Sequence, residues 1–591
     1  MVWDYALVHA KYTIPVGICL GTIYRPLFSR LDMYKVGFLI AIAVISTIPW
    51  DSYLIRHQIW TYPPGAIVGP TLLDIPAEEL FFFVIQTFNT SLLYLILSKP
   101  TFHPIYLDRE HGSHRGTGQA ILIGAILYGL LSVHDAKEGT YLGLILIWAC
   151  PFLLLLWFVN RAFNSTDILI LNRSITSEFL VSLPLTNTVI PILLPTLYLW
   201  MVDTFALRRG TWSISSGTKH GIELWRGLDI EEAIFFLLTN TLIVFGLVAF
   251  DHALAILDTF PERFRDHSGL PSPFLLVQAL LLPKTQYEKE RIAGLAKATD
   301  LLSTKSRSFY LASGAFEGKL RMDLIRLYAF CRAADDLVDE AASAEEAKMW
   351  INRLKQFLHL AFEQKSSGAE IHDYVKEQFP GEIQQALLQL PTDYLPRQPL
   401  HDLLKGFEMD LLFTTSFPIA TAEDLDLYGG RVAGTVAELC NYLILWHCSP
   451  NISGEQRSRI VNAGVQMGIA LQYVNIARDI KVDADMGRVY LPSSWLKEKG
   501  LEAEDVIQNP SSPAIGELRQ RLLDHAFAKY ELAREAIEEL PPEARGPIRV
   551  AVESYMEIGR VLREPGYSVQ AGKATVPLWR RVRVAWSALR Q

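Results

Sequence analysis

CRAADDLVDE (residues 331–340) and NIARDIKVDAD (475–485) are the stretches that decide how this chain is read. Each carries two aspartates four positions apart, Asp335/Asp339 and Asp479/Asp483. On a helix that spacing puts both carboxylates on one face, and two such faces opposed across a cavity can hold Mg²⁺ ions that bridge to diphosphate oxygens. A charge pair on a helix is ordinarily a solvated face. Two pairs flanked by cations and amides point instead to a prenyl transferase that ionises a lipid diphosphate. Arg332 flanks the first pair, and Gln472, Asn475, Arg478, Lys481 and Arg488 surround the second. Arginine offers a planar fork of donors to phosphate oxygens.

Further donors stand nearby in the sequence. KSRSFYLAS (305–313) supplies Lys305, Ser306, Arg307 and Phe309. LYGGRVAGTVAEL (427–439) supplies Tyr428 and Arg431, with Ala433 and Gly434 small enough to let a substrate approach the helix closely. Tyr473 and Tyr490 either line the site or pack the core. From about residue 290 the text is rich in Ala, Leu, Glu, Arg and Lys at a 3.6-residue apolar period. It predicts an all-α domain with a central cavity, over residues 286–591.

The preceding half has a different solvent. Of the chain's 118 charged residues only 38 fall in the first 270 positions, and the whole averages 50% hydrophobic residues with a mean hydropathy of +0.19. Apolar runs of near-spanning length lie at about 2–24, 34–50, 77–98, 117–134, 140–160, 180–200 and 231–257. They predict a polytopic membrane bundle over residues 1–260, of seven helices or of six, joined to the second domain by a proline- and charge-containing linker at 261–285. Basic residues after the first, third and fifth runs (Arg25, Arg30, Lys35; Lys99, Arg109, Arg115; Arg161, Arg173) put the N-terminus outside. An odd number of spans then puts the second domain in the cytosol. No charged n-region with a cleavage site precedes the first run, so it reads as a span that stays in the protein.

This half also matches itself. WDSYLIRHQIWTY (50–62) aligns with VDTFALRRGTWSI (202–214), and LDIPAEELFFF (73–83) with LDIEEAIFF (228–236). Asp51/Asp203, Arg56/Arg208, Trp60/Trp212, Glu78/Glu231, Glu79/Glu232 and Phe82/Phe235 pair at an offset of about 152 residues, the mark of an internal duplication enclosing a shared cavity. Acids in a first helical turn favour the macrodipole, and Asp51 with Arg56 is open to reading as a structural ion pair. The sharper reading takes Asp51, Glu78, Glu79, Asp203, Glu231 and Glu232 as two symmetric acid sites for the two ends of one apolar substrate. An acid in an oily pocket retains its proton, can protonate a carbon–carbon double bond, and a neighbouring carboxylate can take a proton back. Trp60, Phe82, Phe83, Trp212, Phe235 and Phe236 either shelter a carbocation or simply pack. The second copy lacks the proline of the first before its glutamates, which predicts a different depth for them.

Several classes are excluded or disfavoured. A formal net charge of −8 with no dense basic stripe argues against nucleic acid. No GxGxxG follows a strand, so flavin or nicotinamide binding has no support. The seventh run holds no lysine to attach a retinal. The cysteines Cys19, Cys150, Cys331, Cys440 and Cys448 show neither CxxC pairing nor metal spacing and read as reduced packing residues.

LYAFCRAADDLVDE, LQYVNIARDIKVDADMGRVYLP, SRSFYLAS and YGGRVAGTV resemble the signatures of the head-to-head squalene and phytoene synthases, from about Thr285 to Trp586. The duplicated PAEE-type half resembles the small membrane lycopene cyclases that lack flavin, and their order on one chain resembles the fungal bifunctional lycopene cyclase/phytoene synthases. The resemblance implies an isoprenoid-synthase-type fold for the second domain, and two chemistries. Asp335, Asp339, Asp479 and Asp483 would hold Mg²⁺ (or Mn²⁺), with Lys305, Arg307, Arg332, Tyr428, Arg431, Gln472, Asn475, Arg478, Lys481 and Arg488 on the diphosphates. Two geranylgeranyl diphosphates would join through prephytoene diphosphate to phytoene. Glu78, Glu79, Glu231 and Glu232, with Asp51 and Asp203, would close the ends of lycopene into β-rings, giving γ-carotene and β-carotene. The implied partners are those substrates, the lipid bilayer and a phytoene desaturase. The alternatives are a membrane-anchored squalene synthase-like enzyme, which would need a nicotinamide, and a first half that is only an anchor or transporter.

Overall fold

The computed structural model describes residues 3–109, 115–135, 138–158, 175–264, 269–363, 368–414, 416–567 and 576–590. Arg161 and Arg173, used above for orientation, lie outside them, as do the side chains of Arg115 and Arg307. The described chain is almost wholly helical, with three small two-stranded sheets, and divides into two compact units, Met1–Ile292 and Ala293–Gln591.

Among its described residues the first unit has six helices long and apolar enough to cross a membrane: Asp4–Leu27, Arg30–Arg56, Ala77–Ser98, Thr140–Trp157, Val189–Arg209 and Ile230–Thr259. A shorter apolar stretch, Thr117–Val133, lies within the Arg115–Asp135 helix. These segments satisfy their backbone groups internally and leave apolar side chains such as Ile18, Ile45 and Leu131 exposed, as a lipid-facing surface requires. Arg30–Arg56 opens on a capping box, in which the Asp32 N–H donates to Ser29 Oγ and the Ser29 N–H donates to Asp32 Oδ2.

The duplication is visible in three dimensions. Trp60–Thr61 pairs antiparallel with Ser213–Ile214, so the loops after equivalent helices of the two copies join as one small sheet. Each glutamate-bearing helix is preceded by a β-hairpin, Thr71–Leu72 with Ile75–Pro76 in one copy and Glu223–Trp225 with Leu228–Asp229 in the other. The missing proline changes nothing at this point. Asp229 takes the same extended backbone (φ −64°, ψ 144°) that Pro76 takes (φ −61°, ψ 148°), and each glutamate pair follows at the same two positions of its helix. The expected difference in depth is absent, because the hairpin and not the pyrrolidine ring sets the angle at which the chain turns into the helix.

Of the expected linker, 261–285, residues 261–264 and 269–285 fall within the first unit, and 265–268 lie outside the described residues. Pro273–Leu280 is a helix capped by Ser272, and Leu276, Ala279 and Leu280 join the apolar cluster that includes Leu247 and Phe260.

The second unit is a helical bundle around one continuous apolar core. Gly318–Asp339 carries the first aspartate pair near its C-terminal end, and the long Gly454–Asp485 helix carries the second. Between Ala422–Gly429 and Thr435–Cys448 the backbone makes a π-helical turn, Gly430–Gly434, inside the YGGRVAG motif. Gly468 faces that turn so closely that a Cβ would stand 2.6 Å from the Ala433 carbonyl oxygen. The small residues of the motif therefore let two helices approach each other, while Val432, Ala433, Val436 and Ala437 line the adjoining cavity.

Candidate active sites

In the first unit the duplicated acids separate by position. Glu79, Asp203 and Glu232 line one narrow cavity with Tyr5, Trp60, Trp212, Phe82, Phe235 and Phe236. Tyr5 and Tyr62 each donate a phenol O–H to Glu79 Oε2 at 2.6 Å. Tyr141 donates to Glu232 Oε1 at 2.5 Å, and the Trp212 indole N–H donates to Asp203 Oδ1 at 3.2 Å. Among the described residues no lysine or arginine forms an ion pair with these three acids, and the second oxygens of Asp51 and Asp203 are buried without a hydrogen-bond partner. Arg56 binds Asp74, at 2.7 Å, and not Asp51. A cluster of buried carboxyls lacking counter-charge is costly to assemble and is the usual mark of a working site in a membrane helix bundle.

Glu78 and Glu231 are placed differently, although the second oxygen of each is likewise buried without a hydrogen-bond partner. Glu78 Oε1 accepts the Val68 N–H at 2.6 Å and Glu231 Oε1 accepts the His220 N–H at 2.8 Å. Each ties the preceding loop to the start of its helix. Neither lines the cavity.

Aromatic rings wall the cavity. Trp60 and Trp212, equivalent residues of the two copies, stack with centroids 6.0 Å apart, and Tyr5 lies 4.9 Å from Trp212. Such ring faces are attractive to a positive charge in an otherwise apolar space. The tyrosines escaped the sequence reading. The block match begins at Trp50, but sliding the text by 136 positions aligns DYALVHAKY (4–12) with TYLGLILIW (140–148) and brings Tyr5 onto Tyr141. That shift differs from 152 because the second copy has 16 more residues between the two matched stretches.

In the second unit the two aspartate pairs face the same region. Arg332 donates to Asp335 Oδ2 at 3.0 Å and also to Asp336, and Lys305 Nζ is 3.8 Å from Asp336. Arg478 forks onto Asp479 at 2.8 and 2.5 Å. Arg488, which follows the second pair, reaches Asp339 of the first at 2.9 Å. Asp410, which the sequence reading missed, stands between them: Tyr490 donates to its Oδ1 at 2.8 Å and Tyr428 to its Oδ2 at 3.3 Å. Its only signal in the text is an acid two residues after Glu408 in the otherwise apolar FEMDLLF (407–413).

The electrostatics follow from crowding. Burial, then the charge of Asp339, pushes the Asp335 carboxyl up to about 7, with Arg332 pulling the other way. Burial, then Asp479, pushes Asp483 up to about 8, and Asp410 is raised to about 6 by burial against its tyrosine hydrogen bonds. Asp410 also adds its charge to the burden on both Asp335 and Asp483. Among the described residues no three acidic, histidine or cysteine side chains are already drawn into a metal cage. The donor set nevertheless fits a hard divalent cation. It is all carboxylate oxygen, and its crowded, half-compensated charge favours added positive charge.

The other candidates distribute around this region. Gln472 and Asn475 line a cavity of about 340 Å³ together with Ser306, Phe309, Tyr328, Leu471 and Tyr555. Asn475 donates to Gln472 at 3.2 Å and accepts from Tyr555. Lys481 turns toward Asp485, at 3.7 Å. Arg431 contacts Met409 Sδ at 3.1 Å, one residue from Asp410. The cavity walls are mostly apolar, with Val436, Ile460, Met467, Ile537, Leu540 and Val552 among them.

Residues 302–580 match the squalene/phytoene synthase family model. Over its whole length the chain is 63% identical to a bifunctional lycopene cyclase/phytoene synthase of Gibberella fujikuroi, covering all of both chains. It is 59% identical to one of Fusarium fujikuroi and 57% identical to one of Leptosphaeria maculans, again with complete coverage of both chains in each case.

Proposed function

The chain belongs to the bifunctional lycopene cyclase/phytoene synthase family, and from that premise we propose that it makes phytoene in its second unit and closes the ends of lycopene in its first. The observation that carries the synthase reading is the pair of aspartate helices converging with Asp410 beside a long apolar cavity.

Asp335, Asp339, Asp479 and Asp483 are the residues that would hold Mg²⁺ or Mn²⁺, with Asp410 adding to the field. When bound, the metal supplies the positive charge that stabilises a departing diphosphate. Arg332, Arg478, Arg488 and Lys305, now paired with those aspartates, are placed to exchange onto diphosphate oxygens, and Arg307, Arg431 and Lys481 are further candidates. The mostly apolar cavity walls suit isoprenoid chains and keep water from the allylic cation. The C–O bond of one geranylgeranyl diphosphate breaks and its cation is attacked by the double bond of the second. Proton loss gives the cyclopropyl prephytoene diphosphate, whose own ionisation, rearrangement and proton loss give phytoene. Proton loss at the last step needs no reductant, which separates phytoene from squalene formation.

In the first unit Glu79 and Glu232, within one aromatic-walled cavity, supply acid and base for redox-neutral ring closure, with Asp203 and Asp51 beside them. Phytoene requires desaturation before it can be cyclised, so a separate desaturase must act between the two units. We place the chain in a membrane as a multi-pass protein, with the second unit on the cytosolic side where soluble diphosphates are made.

Expressing the full chain in bacteria that make geranylgeranyl diphosphate, with and without a desaturase, tests both activities. Phytoene alone is expected without the desaturase, and β-ring carotenoids with it. Lycopene accumulating unclosed would overturn the cyclase reading, and a requirement for nicotinamide would overturn the phytoene reading.

A further inference from the structure

Two duplicated halves and a substrate with two like ends suggest one site per end. The geometry points elsewhere. We propose that the two copies build a single composite centre, in which Glu79 of one copy and Glu232 of the other act on the same substrate end, and that the two ends are closed there in succession. This rests on the cyclase reading above and adds to it the number of centres and the order of events.

The first ground is that Glu79, Asp203 and Glu232 line one cavity, walled by Tyr5 and Trp60 from the first copy and Trp212, Phe235 and Phe236 from the second. Equivalent residues meet each other there instead of forming two separated sets, as the Trp60–Trp212 stack shows. The second ground is that the copies cross on a pseudo-twofold axis. Equivalent Thr61 and Ser213 bond to one another at 2.9 Å, and equivalent Gln86 and Thr239 do so at 2.9 Å. Groups near such an axis necessarily come together. The third is that the two glutamates are held alike but not identically. Tyr5 and Tyr141, equivalent residues, each orient one of them, while Tyr62 reaches only Glu79, because its counterpart is Ile214. Two acids of matched reach and unmatched surroundings suit an acid–base pair.

The step balances without a co-reactant. One glutamate, as the acid, gives its proton to the terminal double bond, leaving a tertiary cation. The second double bond of the same end attacks that cation and forms one carbon–carbon σ bond, moving the charge into the new ring. The other glutamate, as carboxylate, removes a proton from the ring and restores a double bond, so the product is an isomer. The pair has then exchanged protonation states, and the pseudo-twofold lets the second end be handled with the roles reversed. The tyrosines act as positioning residues that aim the carboxyls. A one-ring compound must leave and re-enter turned around.

The test uses the full chain in membranes with isotopically labelled lycopene and an excess of unlabelled one-ring compound. A single centre predicts that label in the two-ring product is diluted in proportion to the added compound. Undiluted label would overturn it. Glu79→Gln and Glu232→Gln provide the second arm: each is expected to lower both ring closures at least a hundredfold, whereas one-ring product at near the native rate from either variant would mean independent centres. Phytoene formation by the same polypeptide reports that each variant is made, and recovery of the chain in the washed membrane fraction reports that it is inserted. Tyr5→Phe and Tyr141→Phe should each lower kcat about tenfold for both closures with KM unchanged; equal loss through KM would reject the positioning role. Failure of the native chain to close any ring would defeat the cyclase reading itself, a result distinct from all of these.

Discussion

Thr61 and Ser213 occupy the same position in two copies of one ancestral segment and are hydrogen-bonded to each other, hydroxyl to hydroxyl, at 2.9 Å. Their backbones pair in the same register, Thr61 opposite Ser213. In an antiparallel pair a residue faces its own counterpart only where a twofold axis passes between them, so this one contact locates the symmetry of the membrane half. Gln86 and Thr239 mark it again within the helix pair. Everything close to that line, the two indoles and two of the glutamates included, is brought together by the duplication itself.

Replacing Asp335 or Asp479 by asparagine should lower phytoene formation by about a hundredfold or more, the usual cost of removing one group from a charge-stabilising site. Ring closure of supplied lycopene should persist. Chromatography of products from membranes given each substrate separately reads both activities, and loss of both from one change would contradict separate sites.

The crowded acids predict a pH effect in chelator-treated protein. Asp335 at about 7 and Asp483 at about 8 lie above their unfolded values, so between pH 4 and 8 the folded state binds more protons than the unfolded one. Stability must then fall as pH rises through that range. The Tm of the second unit is expected to drop from pH 5 to pH 8 without metal, and millimolar Mg²⁺ should remove most of the drop. Asp410→Asn, by deleting a charge that burdens both, should flatten the metal-free profile while raising the Mg²⁺ concentration needed for half-maximal phytoene synthesis.

Glu78 and Glu231 hold loops by accepting a backbone N–H each. Alanine at either position leaves that donor unmet, which costs about 1–3 kcal/mol. Glutamine keeps an acceptor oxygen and should cost much less. Thermal unfolding in detergent distinguishes the two, and glutamine at position 78 or 231 is expected to spare far more cyclisation than glutamine at 79 or 232.

Lys35 Nζ lies 2.5 Å from Asp251 Oδ1, both side chains being buried, with Tyr94 donating to the other carboxyl oxygen at 2.8 Å. Lys35→Met leaves Asp251 facing His103, 3.7 Å away, and the Tyr94 hydroxyl, so the change should destabilise the membrane half by about 1–3 kcal/mol. Lys35→Met combined with Asp251→Leu should recover a large part of that loss. Equal melting temperatures for the native chain and the single variant would show that the pair contributes nothing.

What the text of the chain determined was whatever has a local period or an exact echo. Apolar runs announce spans because lipid cannot hydrogen-bond a backbone. Aspartates four apart announce a shared helical face, and a copied block announces a duplicated fold. Those features are set by neighbours along the chain. Only the tertiary structure decided which acid of each Glu-Glu pair faces the cavity, because adjacent helical residues point about 100° apart and only packing settles which direction is inward. It alone brought Asp410 between the two aspartate helices and Tyr5 onto Glu79, contacts spanning 69 or more residues that carry no periodic signal. It also brought acids of both copies to the lining of one cavity, since a duplication written as two blocks in sequence becomes a single axis once the blocks pack against each other.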